Sequence, residues 1–196
     1  DISTRDVLES RILIVDDDQG SVNILVETLS AEGFLDIQGI TDSRTAMSIC
    51  QEHNPALMLL DLKMPHVDGF QILREIGEMQ SVRRPSVIVL TGLHDRQTRL
   101  ETLRAGARDF LTKPFDLSEV CVRVRNLLQM HRLTERLSID HRVLSAVLDA
   151  THDAIAMFDP SRKLVFANQQ YRVLLRAPQK APSDVEPNLS SSIHDL

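Results

Sequence analysis

The sequence contains few aromatic residues and few cysteines. Tryptophan is absent, aromatic residues make up 4% of the 196 residues, and there are two cysteines. Cys50 and Cys121 fall within predicted helices and have neither metal-ligand nor disulfide spacing, which indicates small core residues in a reducing, cytoplasmic setting. No run of 18 consecutive apolar residues occurs, and the opening DISTRDVLES has neither a basic start nor an apolar stretch. The pattern therefore predicts neither a signal peptide nor a membrane span.

A surplus of basic charge is also lacking. The chain has 22 Lys and Arg against 28 Asp and Glu, for a net charge of -6. This balance disfavours a broad nucleic-acid-binding surface, and none is expected in this chain. Only four of the basic residues are lysines, so the position of each lysine is informative. The 42% apolar content is enough for one full domain and part of a second.

Apolar segments alternate with helical patterns over roughly residues 10 to 130. The five strand candidates read RILIVDD, LDIQGI, ALMLLD, SVIVLTG and DFLTKP. Helices are predicted around Val22 to Leu29 with a stop at Gly33, from Asp42 or Ser43 to just before Pro55, around Phe70 to Ile76, and from Leu100 to Gly106. Regular alternation of this kind predicts an α/β fold, with a doubly wound parallel five-stranded sheet covered by helices on both faces.

Carboxylates follow the first and third predicted strands. Residues 56–60 are apolar throughout, which is typical of a strand buried on both faces, and this run ends at Asp61. The first strand ends at Asp16 and Asp17. The carboxyl ends of parallel strands meet at one edge, where ligands bind, so these three acids are expected to lie close together. Clustered carboxylates repel one another without a cation, and their oxygens suit Mg²⁺.

Two further side chains are expected at the same edge. Thr91 ends the fourth strand and Lys113 ends the fifth. A metal-binding acid pair, a free carboxylate, a hydroxyl and an ammonium group are what phosphoryl transfer requires, because its chemistry is mostly positioning and charge neutralisation. The neighbouring Asp18 is interpreted as a helix cap rather than a third ligand, and His66 as a surface-loop histidine.

Taken in order, the motifs VDDD, LLDLKMPHVDGF, VLTG and GARDFLTKPF resemble the response-regulator receiver domain of two-component signalling. The resemblance covers roughly residues 10 to 130 and implies a flavodoxin-like fold. It implies that Asp61 is the phosphoacceptor and that Asp16 and Asp17 bind Mg²⁺ together with the backbone carbonyl of Lys63. The implied phosphoryl donor is a phosphohistidine of a sensor histidine kinase or of a phosphotransfer protein.

The same resemblance assigns roles near the fourth and fifth strands. It implies that Thr91 and Lys113 bind the phosphoryl oxygens, and that the Lys113–Pro114 peptide bond is cis. Phe110 matches an aromatic residue that changes rotamer on activation. Because the family often has Tyr there and Phe110 has no hydroxyl, a switch at this position would rely on packing. The alternative is that Phe110 is simply a core residue.

A long segment without Gly or Pro follows the last predicted strand. Between residues 117 and 149, an apolar stripe is interrupted at Thr134 and His141; its members are Leu127, Met130, Leu137, Leu144 and Leu148. This pattern predicts a helix that continues beyond the receiver, acts as a linker or signalling helix over residues 131–149, and pairs with a second copy as a coiled coil. The alternative is an ordinary fifth helix followed by a separate short one.

The remaining residues, 150–196, predict a small α+β segment. DAIAMFD and KLVFANQQYRVLL read as two strands joined by the turn DPSRK, with a helix starting at Asn168. Residues 147–175 resemble the opening of a PAS domain, without the strands that would complete it. The Pro- and Ser-rich remainder is expected to be poorly ordered.

These observations predict a response regulator that is phosphorylated on Asp61 and relays its state through the long helix. One alternative is a degenerate receiver that serves only as a protein-binding or dimerisation scaffold. Another is a regulatory fragment of a signalling enzyme, such as a cyclic-dinucleotide enzyme or a kinase, although the chain carries no output enzyme motif. A DNA-binding output beyond residue 196 is a further possibility.

Overall fold

The structure of the protein is a computed structural model that describes residues 4–79, 84–92 and 96–175. The chain divides into two compact units, Asp1–Arg136 and Leu137–Leu196. The strands of the first unit are β1 (Arg11–Val15), β2 (Asp36–Ile40), β3 (Leu57–Asp61), β4 (Ser86–Thr91) and β5 (Asp109–Thr112). The helices that begin there are α1 (Thr4–Leu8), α2 (Gln19–Ala31), α3 (Ala46–His53), α4 (Gly69–Glu78), α5 (Arg96–Arg104) and α6 (Leu117–Asp149).

The five strands form one parallel sheet in the order β2-β1-β3-β4-β5. The predicted flavodoxin-like α/β fold is therefore confirmed. Alternate residues of β1 point to opposite faces: Ile12 and Ile14 pack with α1, α2 and α6, whereas Leu13 and Val15 pack with α3 and α4. Burial on both faces explains why β3 is apolar at every position before its last residue.

The two cysteines lie in these two cores as free, buried thiols. Cys50 packs with α3 beneath one face of the sheet, and Cys121 lies on α6 beneath the other. Burial raises the pKa of the Cys50 thiol to about 11, and burial also raises the pKa of Cys121. Both thiols are thus held in the protonated, unreactive form.

Two local features differ from the sequence-based prediction. The short helix α1 was not predicted, yet its Val7 is buried in the core beside α2 and α6. The second predicted helix begins with a 3₁₀ turn, Ser43–Thr45, before α3 starts at Ala46. The Asp42 carboxylate caps that turn by accepting the Arg44 backbone N–H, so of the two predicted helix starts, Asp42 or Ser43, Asp42 is the N-cap.

The helix α6 runs without a break from Leu117 to Asp149, as the absence of Gly and Pro predicted. Its first half is held to the sheet by Val120, Cys121, Val124 and Leu128. Leu127, predicted as part of the exposed stripe, instead packs partly buried against this core. Among the residues that the structure describes, no helix has both the length and the apolar character needed to cross a membrane.

In the second unit, β6 (Ala156–Phe158) and β7 (Leu164–Ala167) form an antiparallel pair, followed by α7 (Gln169–Leu174). The Asp159 carboxylate accepts the backbone N–H groups of Ser161 and Lys163 and so closes the predicted DPSRK turn. Asn168 caps α7 by accepting the Tyr171 N–H. The tail predicted to be poorly ordered, residues 177–196, lies outside the described residues.

Candidate functional site

The two central strands bring two carboxylates together at the carboxyl edge of the sheet. Asp61 is the last residue of β3, and Asp16 follows the last residue of β1. Strands β1 and β3 pair in parallel with Val15 opposite Leu60. The residue that follows each of these two is an aspartate, so the two carboxylates lie side by side. Asp16 is fully buried and Asp61 is 5% exposed. Two buried acids side by side require a cation.

Lys113 supplies that cation from the end of β5. Its Nζ lies 2.6 Å from Asp16 Oδ2 and 2.7 Å from Asp61 Oδ1. The lysine side chain is 29% exposed, so it is the most solvent-accessible of these three side chains. The peptide bond that follows, Lys113–Pro114, is cis, as the resemblance implied.

Burial and charge shift the pKa values of this cluster in definable directions. Burial raises the pKa of Asp61 and the Asp16 charge adds to this, while Lys113 and the backbone N–H of Lys63 act against it. Burial tends to lower the pKa of Lys113, but hydrogen bonds to Asp16 and Asp61 together with their charges outweigh it and raise that pKa. The ammonium group is therefore protonated at neutral pH, whereas burial makes the carboxyl group that it contacts harder to ionise than an exposed one.

Thr91 and Phe110 occupy the neighbouring strands. Thr91 ends β4, is 3% exposed, and accepts the Lys113 backbone N–H at 2.7 Å through its carbonyl oxygen. The ends of β4 and β5 are thus tied together beside Asp61. Phe110 lies partly buried against the core formed with α3 and α4. This position fits both interpretations of Phe110, as a core residue and as a residue that changes rotamer on activation.

The remaining predicted residues take less central positions. Asp17 is exposed and is not part of the Asp16–Lys113–Asp61 contact. Asp18 is the N-cap of α2 and accepts the N–H groups of Gly20 and Ser21, as predicted. The side chain of Lys63 is exposed, but its backbone N–H bonds the Asp61 carboxylate. His66 is exposed in the loop after β3.

The donor atoms at this edge determine which metal ion the site can bind. Within residues 4–79, 84–92 and 96–175, no three His, Cys, Asp or Glu side chains converge closely enough to hold one. What is present is a pair of buried carboxylates with one ammonium group between them, and this leaves one negative charge uncompensated. Oxygen donors with uncompensated negative charge suit Mg²⁺, which needs one or two protein carboxylates and keeps several waters. The residues therefore fit a water-rich Mg²⁺ site.

Two residues that sequence reasoning did not assign contact the end of β3 or the loop that follows it. Gly69, the first residue of α4, packs so closely on β3 that an added Cβ would lie 2.3 Å from the Asp61 carbonyl oxygen. Ser43 is buried and bonds the backbone of the loop after Asp61. The DG pair before the predicted third helix was a signal for Gly69. No comparable signal marked Ser43, because its partners are more than twenty residues away in the chain.

A parallel five-stranded sheet with two buried carboxylates and a lysine at its carboxyl edge defines a receiver-type α/β domain. Comparison with known proteins agrees: the family model for the response regulator receiver domain matches residues 12–125. The chain belongs to the response regulator receiver family.

Relatives of known sequence and structure support this assignment. The chain is 35% identical over 130 residues to the response regulator PleD of Caulobacter vibrioides, a match covering 66% of this chain and 28% of PleD. It is 32% identical over 178 residues to the transcriptional regulatory protein TrcR of Mycobacterium tuberculosis, covering 90% of this chain and 68% of TrcR. The Francisella response regulator 1452 receiver domain superposes with a TM-score of 0.57 at 27% identity, covering 62% of this chain and 98% of that domain.

Proposed function

We propose that Asp61 accepts a phosphoryl group from a phosphohistidine of a sensor histidine kinase or of a phosphotransfer protein. The observation that carries this proposal is the Asp61–Lys113–Asp16 contact, in which one ammonium group bridges two buried carboxylates. A fold has no structural need for buried like charges, and burying them costs stability, so their presence points to a functional use. Clustered, perturbed groups at the ligand-binding edge of an α/β sheet are typical of a reactive site.

In this reaction an Asp61 carboxylate oxygen attacks the phosphorus atom. The P–O bond to Asp61 forms as the P–N bond to the histidine breaks, and the imidazole leaves with its bonding electron pair. Lys113 contacts the phosphoryl oxygens and balances their negative charge, and the Thr91 hydroxyl donates a hydrogen bond to them. Because Lys113 already bonds Asp61, its ammonium group is in place before the phosphoryl group arrives and needs little reorganisation.

Asp16, Asp17, Asp61 and the Lys63 backbone carbonyl would hold Mg²⁺. When bound, Mg²⁺ supplies charge neutralisation that lets an anionic donor approach the acidic edge. Asp16 is buried beside Asp61 whereas Asp17 is exposed, so Asp16 and Asp61 would be the main carboxylates of this set. Phe110 is proposed as the packing-based switch residue that responds to the phosphoryl group on Asp61.

The test is phosphorylation of the full chain by acetyl phosphate in Mg²⁺, followed by intact mass. We expect one added phosphoryl group, lost in Asp61→Asn and after chelation of Mg²⁺. The matched control is Asp68→Asn, because Asp68 lies in the same segment but caps α4, a role that Asn fills equally well. Equal modification of the Asp61→Asn variant would refute the assignment.

A second candidate function, a receiver used only as a dimerisation scaffold, predicts no modification in this test. Because the match covers 28% of the length of PleD, we also propose that the receiver controls an output activity of the whole protein. That output is either an enzyme activity, such as that of a cyclic-dinucleotide enzyme or a kinase, or DNA binding.

The proposed domain organisation consists of three consecutive segments. Residues 10–130 form the receiver, 131–149 a linker helix, and 150–196 the beginning of a PAS-like segment. The antiparallel pair β6–β7 followed by α7 supports the last assignment, since two strands followed by a helix are what the resemblance implied.

We further propose that a second copy of the chain covers the exposed apolar residues of α6. Three apolar side chains of α6 in the second unit are exposed: Leu137 (68%), Leu144 (58%) and Val147 (59%). Together with Asp140, they are separated by three, four and three residues along the sequence. Met130 and Leu133 of the first unit are exposed too, and continue these steps along the sequence. A strict three-four alternation is the heptad pattern of a coiled coil, whose partner must carry the same repeat.

A further inference from the structure

Ser43 links two loops at the carboxyl edge of the sheet. It is the first residue of the 3₁₀ turn before α3 and is 3% exposed. Its Oγ donates to the Pro65 carbonyl oxygen at 2.7 Å and accepts the Val67 backbone N–H at 3.2 Å. The hydroxyl therefore uses both its donor and an acceptor site on a single turn of the loop that follows Asp61.

That turn has an unfavourable backbone conformation. His66, between the two bonded residues, has a φ of 72°, in the left-handed region that side chains with a Cβ rarely adopt. The Val67 N–H also points to the Pro65 carbonyl oxygen, at 3.0 Å, which closes a three-residue turn. A turn of this kind persists only when its surroundings hold it, and Ser43 supplies two of the bonds that do so.

The same loop carries the peptide group that contacts the phosphoacceptor. The Lys63 backbone N–H donates to the Asp61 carboxylate, two residues before Pro65. Farther along, the Gly69 N–H donates to the Leu62 carbonyl oxygen at 3.1 Å, so both ends of the loop are fixed next to β3. Between these ends, the loop is hydrogen-bonded by the Ser43 hydroxyl, which belongs to a different part of the chain, the segment after β2.

We propose that Ser43 is a positioning residue for phosphoryl transfer. Its hydroxyl holds the Pro65–Val67 turn, and through the turn it fixes the Lys63 peptide, whose N–H orients the Asp61 carboxylate and whose carbonyl belongs to the proposed Mg²⁺ ligands. This inference rests on the proposed function of Asp61, and it adds a residue that touches neither the phosphoryl group nor Asp61. Removing the hydroxyl loosens the loop while leaving the Asp61–Lys113–Asp16 contact intact.

The test compares Ser43→Ala with Ser48→Ala. Ser48 is the matched control, because its exposed hydroxyl donates to the Thr45 carbonyl one turn away and makes no contact with the loop. Backbone amide exchange is measured by NMR on the metal-free full chain. In Ser43→Ala we expect the Val67 amide to exchange about tenfold faster, as for the loss of one hydrogen bond, and the Lys63 amide resonance to shift. Ser48→Ala should change neither.

A second readout separates positioning from a purely structural contact. The initial rate of phosphorylation by acetyl phosphate is followed as Mg²⁺ is varied. We expect Ser43→Ala to need about fivefold more Mg²⁺ for half-maximal rate, an effect smaller than one lost hydrogen bond because the ion keeps its carboxylate ligands. Ser43→Thr, which keeps a hydroxyl, should restore the wild-type Mg²⁺ dependence.

The outcomes discriminate between the two proposals. The positioning role is refuted if the Val67 amide exchanges as slowly in Ser43→Ala as in Ser48→Ala. It is also refuted if that amide exchanges faster in Ser43→Ala while the Mg²⁺ dependence stays that of wild type. If the wild-type chain is not phosphorylated at all, the proposed function fails. The Lys63 resonance then still decides whether the Ser43 hydroxyl holds that peptide.

Discussion

Lys113 Nζ lies 2.7 Å from Asp61 Oδ1, although β5 and β3 are not neighbours in the sheet. The lysine side chain passes over the end of β4 to reach Asp61, and it also contacts Asp16 beyond. Charges from three separate strands are thereby joined in one cluster. The ammonium group therefore contributes to the stability of the edge as well as to its chemistry.

The first prediction concerns the removal of this ammonium group. Lys113→Ala should lower the free energy of unfolding by about 2 kcal/mol, because Asp16 and Asp61 would face each other without a cation; breaking fully buried pairs costs about 3–5 kcal/mol, and Lys113 is partly exposed. Mg²⁺ should recover much of the loss. Urea unfolding with and without Mg²⁺ measures both effects, with Lys63→Ala, whose side chain is exposed, as the control. Equal stability of the two variants would contradict this account.

The second prediction uses two glycines of α4. Gly69→Ala should destabilise the receiver by about 1–3 kcal/mol, because its Cβ would lie 2.3 Å from the Asp61 carbonyl oxygen and 2.8 Å from Leu62 Cα, so that backbone must move. Gly77→Ala should stabilise it by about 0.5–1 kcal/mol, since that Cβ meets nothing within 4 Å and Ala favours the helix. Chemical denaturation gives both values, and a shift of the same sign in both variants would refute the packing argument.

The third prediction concerns Asn168, a fully buried side chain in the second unit. Its Nδ2 donates to the carbonyl oxygens of Leu148 at 3.0 Å and Asp153 at 2.8 Å, and its Oδ1 accepts the N–H groups of Ile155 at 2.8 Å and Tyr171 at 3.0 Å. This single amide therefore joins the end of α6 to the β6–β7 pair and to α7.

Substituting Asp at position 168 keeps the acceptor oxygen but directs a carboxylate at two carbonyl oxygens. We expect Asn168→Asp to cost about 1–3 kcal/mol in local stability, the range for leaving buried polar groups unsatisfied. Faster hydrogen exchange of the Ile155 amide is the measurement. Asn126→Asp, an exposed change of the same chemistry on α6, serves as the control. If Ile155 exchanges at the wild-type rate, the amide does not hold this unit together.

The fourth prediction addresses pairing through α6. Leu144→Asp should weaken dimerisation of the full chain more than about tenfold, because the carboxylate would be buried in the seam. Asp140→Leu should strengthen it by removing the polar residue from that seam. Light scattering after gel filtration at several protein concentrations measures both.

The control for this pairing is Arg142→Asp. It introduces a carboxylate two residues from Leu144, on the opposite side of the helix by the heptad spacing, and should leave dimerisation unchanged. A chain that stays monomeric at tens of micromolar, or a Leu144→Asp variant that dimerises like wild type, would rule out α6 as the dimer element.

The sequence was most informative about the strands of the sheet, because a strand buried on both faces is a continuous apolar run. The alternation of five apolar segments with helical patterns predicted the sheet. The acids after β1 and at the end of β3 predicted the site edge, because the carboxyl ends of parallel strands lie at one edge of a sheet. The Lys113 contact with both Asp16 and Asp61 could not be predicted, since it depends on how far a flexible side chain reaches across β4. Likewise, periodicity placed Leu127 on an exposed stripe, whereas the position at which α6 leaves the core is fixed by tertiary packing around Leu128. Helix α1 was missed because its single buried residue, Val7, gives no periodic signal.

The two buried thiols also make this chain convenient for spectroscopy. With Cys50 at a pKa of about 11 and Cys121 buried against the opposite face of the sheet, neither competes for a thiol-reactive probe at neutral pH. A single cysteine introduced at the exposed Arg142 would therefore be labelled selectively in an otherwise unaltered chain. Distances between such spin labels would report directly on whether two copies align their α6 helices, and on whether phosphorylation changes that alignment.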